Sequence, residues 1–324
     1  MKTRKTLTTI LAIGALGALI AGCGGGREED TAADGGDTAA AASDLTGAIV
    51  IDGSSTVAPL ATLTAEKFEG ANPGVSVTVG TSGTGGGFEK YCAGETDISN
   101  ASRAIKDEEA TLCGDGGIEY TEMLVANDGI AIVANPENDW ATCLTVDQLA
   151  LMWGPDSTAT SWKDIDPSFP DEPLKLYGPG TDSGTFDFFT DAINGEEGAS
   201  RTDYSPSEDD NVTIQGVTGE KGGLGYFGLS YYEENKDKLK LIEVDNGAGC
   251  VAPSAETVQA GEYAPLSRPL FMYVSAAAAE RPEVLAFAQY FLDNEESLNT
   301  EALFVPLSEE QVTTLKGEVD SLKG

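Results

Sequence analysis

The chain has 324 residues, with 19 Lys+Arg against 54 Asp+Glu, a net charge of −35 and no histidine. A field of that sign repels nucleic acid and anionic membrane surfaces, so neither is an expected partner. The missing histidine removes the Ser-His and Cys-His catalytic arrangements and the commonest metal ligand, and no cysteine pair has zinc-site spacing, so no metal and no cofactor is expected.

Residues 1–22 begin with Lys2, Arg4 and Lys5, run through an apolar stretch from Leu7 to Ile20 and end on the small residues Ala21 and Gly22 before Cys23. This is the pattern of a lipoprotein secretion signal, with Cys23 as the lipidated first residue of the exported chain. Removing the signal takes away three cations and no acid, moving the net charge from −35 to −38. Residues 23–45, small and acidic and with no large apolar group before Leu45, cannot bury enough surface to fold and are expected to tether the body to a membrane by its lipid alone. From residue 46 onward there is enough chain for a sizeable core in two lobes.

Along the body, short apolar runs alternate with helical patterns, the rhythm of α/β units. "GAIVIDG" predicts a strand and "PLATLTAEKFEGAN" a helix, "VSVTVG" a strand and "GGFEKYCAGE" a helix, then "TDISNAS" a short strand. "EMLVANDGIAIVANP" is a long extended stretch, and "TVDQLALMWG" opens with a helix-starting Thr and stops on glycine. "PLKLYGPG" predicts a strand, "SGTFDFFTDAIN" a helix and "GASRTDYSPSEDDNVT" a polar loop. After "GGLGYFGLSYYEEN", a turn with an aromatic strand or helix, come the strands "LKLIEV" and "RPLFMYVS" and the helix "RPEVLAFAQYFLDNEE". Beyond Cys23 an even number of cysteines remains, Cys92, Cys113, Cys143 and Cys250, which suggests two disulfides in an exported chain. Three pairings are open, and Cys92 with Cys113 and Cys143 with Cys250 is the preferred one.

Three places share one local design, a strand running through a Ser/Thr/Gly turn into a helix: "IDGSSTVAPLATL", "VGTSGTGGGFEKY" and "LYGPGTDSGTFDFFT". Helix starts leave N–H groups unpaired and carry partial positive charge, hydroxyls add neutral donors, and glycine lets backbone come close. Any one of these is most simply a helix cap. Three together, with Ser102 and Arg103 ending the short strand "TDISNAS", suit an oxyanion held by convergent neutral donors, with Arg103 as its bidentate cation or else as a surface ion pair. A Walker loop is excluded because Phe88 follows Gly87 where lysine is needed, and the dinucleotide pattern fails at the same residue.

"DGSSTVAPL", "GTSGTGGGFEKYCAGETDISNASRAI", "YGPGTDSGTFDFFTDAI" and "SEDDNVTIQGVTGEKGGLGYFGLSYYEEN" together resemble the substrate-binding lipoprotein family of the bacterial phosphate-specific ABC importer, from Thr46 to Ala302 and in that family's order. The resemblance implies a two-lobed α/β periplasmic-binding-protein fold of type II, each lobe a mixed sheet flanked by helices, joined by crossover hinge strands near "GIAIVANP" and "SRPLFMYVS". Lobe I would comprise residues 46–130 and 266–324, lobe II residues 131–265. It implies a monomeric, extracytoplasmic, lipid-anchored protein, not an enzyme, that closes on inorganic phosphate and delivers it to permease subunits. Implied contacts are Ser55 and Thr56 with Ser54 and the Val57 N–H, Thr84, Ser102, and Ser183, Gly184 and Thr185; Gly85 and Arg103 are candidates beside them, Arg103 standing in from the other side of the cleft. Two departures matter. Relatives carry an arginine before the SGT motif, absent here, and an aspartate at the position of Ser102 that accepts the proton of hydrogen phosphate and so rejects sulfate. Asp182, Asp209 or another nearby acid must then take that part, or selectivity weakens. Against this stand a binding protein for another oxyanion, sulfate or molybdate, and a secreted phosphate-ester hydrolase, for which "SEDDN" is the acidic cluster to consider.

Overall fold

The computed structural model describes residues 45–181 and 183–323. The signal, Cys23, nearly all of the tether and Asp182 lie outside the described residues. The first half of the body contains β1 (Thr46–Gly53), α1 (Ala58–Ala71), β2 (Gly74–Val79), α2 (Gly83–Cys92), β3 (Ile98–Ala101), α3 (Asp107–Asp115) and β4 (Tyr120–Ala134). Next come β5 (Cys143–Thr145), α4 (Val146–Trp153), α5 (Trp162–Ile165), β6 (Lys175–Gly178), α6 (Gly184–Asn194), β7 (Ser205–Pro206), α7 (Asp210–Gly219) and β8 (Gly223–Gly228). The last part has α8 (Leu229–Asn235), β9 (Lys240–Asp245), β10 (Cys250–Val251), α9 (Ala255–Gln259), β11 (Ser267–Ser275), α10 (Ala276–Ala279), α11 (Pro282–Glu301) and α12 (Glu309–Ser321).

The strands run in the order β2-β1-β3-β11-β4-β8-β6-β7, with β9 beside β4 and carrying β5 and β10. β1, β2 and β3 are parallel, with Ile51 opposite Val79 and Gly53 opposite Asn100. Their carboxyl ends are therefore level, and the turns that follow them open into one crevice, where open α/β sheets bind ligands. β6 and β8 are parallel neighbours in the second half of the sheet. β4 joins the two halves: Tyr120–Gly129 pairs with β11 and Ile130–Ala134 with β8.

Two cores lie on either side of that crossing. One gathers Ile49, Leu60, Phe68, Val125, Met272, Phe287 and Leu315, all buried; the other gathers Ile132, Trp153, Trp162, Phe189, Tyr226 and Ile242. The fold is thus two-lobed α/β, with β4 a strand common to both lobes.

Helix α2 begins at Gly83, three residues before the start that "GGFEKYCAGE" predicts. Four glycines in its first turns each cost about 1 kcal/mol of helix propensity, which hides the start. Tertiary contact overrides that cost: a Cβ on Gly87 would lie 2.5 Å from the Cα of Gly53, so only glycine lets this helix approach β1. The polar loop after α6 also contains β7 and the first turn of α7.

Both disulfides are present in the preferred pairing. Cys92–Cys113 ties α2 to α3, and Cys143–Cys250 closes a sequence separation of 107 residues between β5 and β10. Replacing Cys143 and Cys250 by alanine is expected to cost about 2–5 kcal/mol through loop-closure entropy. A fall in the calorimetric unfolding temperature relative to the wild type checks it; an unchanged transition would contradict it.

Candidate functional site

Side chains of Thr145, Ser161, Ser183, Asp209, Ser254, Ser275 and Ser308 accept hydrogen bonds from first-turn amides and cap their helices. α1 and α2 are preceded by equally capable residues, Ser54, Ser55 and Thr56 in one case and Ser82 in the other, yet neither has a side-chain cap. Helix starts without side-chain caps keep partial positive charge and any unpaired amides available, although at α1 the Ala58 N–H already donates to the Ser54 carbonyl at 3.1 Å and Pro59 has no N–H. Both open on one cavity of about 720 Å³.

That cavity is lined by Ser54, Ser55 and Thr56 from the first turn, by Ser82, Gly83, Thr84, Gly85 and Gly86 from the second, and by Ser102, Arg103 and Lys106 after β3. Across it stand Asp187, Phe188, Asp191, Ala192 and Glu197, with Pro265, Ser267 and Arg268 at the back. Ser54 is held by its own N–H, 2.9 Å from the carbonyl of Asn100, and Val57 buries its side chain in the core of the first lobe. The Ser102 N–H donates to Thr84 Oγ1 at 3.2 Å, and the two hydroxyls lie 3.1 Å apart, so the second and third turns share a hydrogen-bonded pair.

The expected third loop is placed differently. Ser183 caps α6 by accepting from the Thr185 N–H at 3.2 Å. Gly184 meets the opposite lobe: a Cβ there would fall 2.6 Å from Thr56 Oγ1. Asp209 accepts from the Asn211 N–H at 2.9 Å as the cap of α7 and is not among the residues lining the cavity.

The strongest donor at the centre is one that sequence reasoning missed. Arg268, on β11 with its side chain 16% exposed, donates from Nη2 to Thr56 Oγ1 at 3.0 Å and to the Gly184 carbonyl at 3.5 Å. Its Nε donates to Asp128 Oδ2 at 3.2 Å, and its guanidinium lies 3.8 Å over the Phe188 ring. Burial pushes the guanidinium below its ordinary range, and Asp128 and then Glu197 and Asp187 pull the other way. Arginine nevertheless stays charged in proteins, which makes this a fixed cation between the lobes.

Arg103 reaches the same cavity with its fork already engaged. Its Nη1 and Nη2 each donate to a Glu109 oxygen at 2.8 Å, and its side chain is 35% exposed. The ion pair, not a free bidentate donor, is what the structure records.

The acids facing these cations have unequal settings. Asp191 and Glu197 are exposed and Asp187 is half-buried, one turn into α6. Burial, with Glu197 close by, raises the Asp187 carboxyl above its usual range against the pull of Arg268. The "SEDDN" cluster lies at the start of α7, and none of its residues lines this cavity.

The cavity therefore combines two uncapped helix starts, several hydroxyls, one largely buried arginine and one half-buried carboxylate. That set can strip water from a small oxyanion and orient it. Residues 35–295 match the model of the PBP superfamily domain. The chain is 47% identical over 284 residues to protein SphX of a Synechocystis species, covering 85% of this chain and 84% of that one. It is 38% identical over 308 residues to the phosphate-binding protein PstS of Staphylococcus saprophyticus, covering 94% and 91%. The crystal structure of a possible phosphate binding protein from Planctomyces limnophilus is similar with a TM-score of 0.83 and 43% identity, over 86% of this chain and 100% of that one. The motifs, the two-lobed fold and these matches agree that the chain belongs to the PBP superfamily and, within it, to the PstS family of substrate-binding proteins.

Proposed function

We propose that the protein binds inorganic phosphate outside the membrane and delivers it to the permease of an ABC importer, held near the bilayer by a lipid on Cys23. The observation that carries this reading is the pair of helix starts around Arg268 without side-chain caps, whereas among the described residues the other helix starts with Ser, Thr or Asp at the N-cap are capped. Ser54, Ser55, Thr56 and the Val57 N–H would hold one side of the anion, and Thr84, Gly85 and Ser102 the next. Arg268 would supply the charge, and Ser183, Gly184 and Thr185 would complete the shell as the lobes, 46–130 with 266–324 and 131–265, close about β4 and β11. Hinge closure of this kind traps a ligand between two domains. Delivery to a transporter asks for capture and release, not turnover, and the chain has no histidine to activate a nucleophile.

Isothermal titration of the folded protein with phosphate and with sulfate tests the reading. Binding of phosphate with clear preference over sulfate supports it, and no phosphate binding rejects it. Within the same experiment, Thr84→Ala is expected to weaken phosphate binding by about tenfold, since a dehydrated anion loses one donor. Arg103→Ala is expected to change it by less than about threefold, because its partner is Glu109 and a partly exposed ion pair is worth little. A larger loss with Arg103→Ala than with Thr84→Ala would mean that Arg103 leaves Glu109 for the ligand.

A further inference from the structure

We propose that Asp52, which does not line the cavity, is the positioning residue that keeps the start of α2 open as an anion cradle: it draws the Ser82 hydroxyl away from the helix and ties the second donor turn to the end of β1, from which the first donor turn leaves. This rests on the phosphate reading of the cleft.

Asp52 lies at the end of β1 and is 8% exposed. Its Oδ1 accepts from the N–H of Gly53 at 2.7 Å, from the N–H of Ser82 at 2.9 Å and from the Ser82 hydroxyl at 2.7 Å. Its Oδ2 accepts from Lys90 Nζ at 2.5 Å. One carboxylate thus joins the end of β1, the turn after β2 and the far end of α2.

Ser82 occupies the N-cap position of α2, where a serine ordinarily turns its oxygen onto an amide of the first turn. Ser183, Ser254 and Ser308 do so in this chain, each with an extended backbone; Ser82 does not, and its φ of −88° and ψ of 10° are not extended. Its hydroxyl goes to Asp52, and the helix start it would have covered faces the cavity through Gly83, Thr84, Gly85 and Gly86. A negative charge beneath an anion site is unfavourable in itself, so a second interaction must offset it, and Lys90 does so at short range. Burial resists ionisation of Asp52, but the hydrogen bonds from Lys90, Ser82 and Gly53 overcome it and hold the carboxyl at about 2. The clamp is therefore ionised at every pH at which a periplasmic or surface protein works.

Calorimetric titration with inorganic phosphate of the wild type, Asp52→Asn, Ser82→Ala and the double variant tests the proposal. Asp52→Asn keeps an acceptor oxygen but loses the charge, and freeing the Ser82 hydroxyl to close over α2 is expected to weaken binding by about tenfold. Ser82→Ala alone is expected to cost less than about threefold, and adding it to Asp52→Asn to recover most of the loss, since no hydroxyl is left to cap the helix. A double variant as weak as Asp52→Asn, or an unchanged Asp52→Asn, overturns the proposal and leaves the phosphate reading intact. A wild type that does not bind phosphate overturns that reading and this proposal with it. Amide NMR of the wild type needs no variant: phosphate should shift the Gly85 and Gly86 amides and leave the Ser82 amide in place. A Ser82 amide that moves as far as theirs counts against the clamp.

Discussion

Arg268→Ala is expected to abolish measurable high-affinity phosphate binding, a loss of about 3–5 kcal/mol or two to four orders of magnitude, the scale of removing one partner of a buried, hydrogen-bonded charge pair. The reason is its place. Arg268 touches Thr56 on the first lobe and the carbonyl of Gly184 on the second, so the same guanidinium that would meet the anion also registers the two jaws. Its loss also leaves Asp128, paired at 3.2 Å, without a cation, and that part of the cost appears as stability, not affinity. The two separate experimentally. Arg268→Lys keeps the charge near Asp128 but lacks the fork, so it should recover thermal stability more than affinity. If calorimetry shows Arg268→Ala binding phosphate within about threefold of the wild type while still folded, Arg268 is only a lobe-to-lobe tie.

The contrast between Arg268 and Arg103 also shows where sequence reasoning stops. The donor turns are local: β1, β2 and β3 are parallel, their ends are level, and Ser54–Thr56, Thr84 and Ser102 follow those ends directly, so a strand-turn-helix pattern brings them together. Arg268 enters the same space from β11, a strand returning from the second lobe, and it comes opposite Asp128 only through the antiparallel register of β11 with β4. No local pattern around "SRPL" encodes that register. Arg103, adjacent in sequence to Ser102, looked the better cation, and the acid that occupies it, Glu109, sits on α3, a helix the apolar pattern does not reveal because only Cys113 is buried on it.

Capping divides in the same way. "SEEQ" at Ser308–Gln311 is a capping-box signature that marks the start of α12 in the sequence alone. The reverse inference, that the serines before α1 and α2 leave those helices uncapped, depends on where each hydroxyl points. For Ser82 that is decided by Asp52, thirty residues earlier. A rule that places serine before helices predicts the helix well and says nothing of whether its first amides remain free for a ligand.

Asp187→Asn is expected to erode selectivity between phosphate and sulfate more than any other single change in the cleft. Ser102 has no carboxylate to accept a ligand proton, Asp209 caps α7, and among the described cavity acids Asp187 is the half-buried one while Asp191 and Glu197 are exposed. A carboxylate beside a bound oxyanion is tolerated only when a proton lies between them. Hydrogen phosphate brings one at neutral pH and sulfate does not. Asparagine keeps the shape and removes the repulsion, so sulfate binding should strengthen by about tenfold or more and phosphate binding should weaken by a similar factor as a charged acceptor gives way to a neutral amide oxygen. The pH dependence follows from the direction of the shift. Burial and Glu197 hold the Asp187 carboxyl above its usual range, so its repulsion is present above that raised value and disappears as pH falls through it. Sulfate binding by the wild type should therefore take up a proton and strengthen by up to about tenfold per unit fall in pH, whereas sulfate binding by Asp187→Asn should be nearly flat. Titrations with both anions across the acid range, in buffers of different ionisation enthalpy, measure affinity and proton uptake together. A sulfate-to-phosphate ratio unchanged by Asp187→Asn, with no proton taken up by the wild type, would place the selectivity elsewhere in the shell.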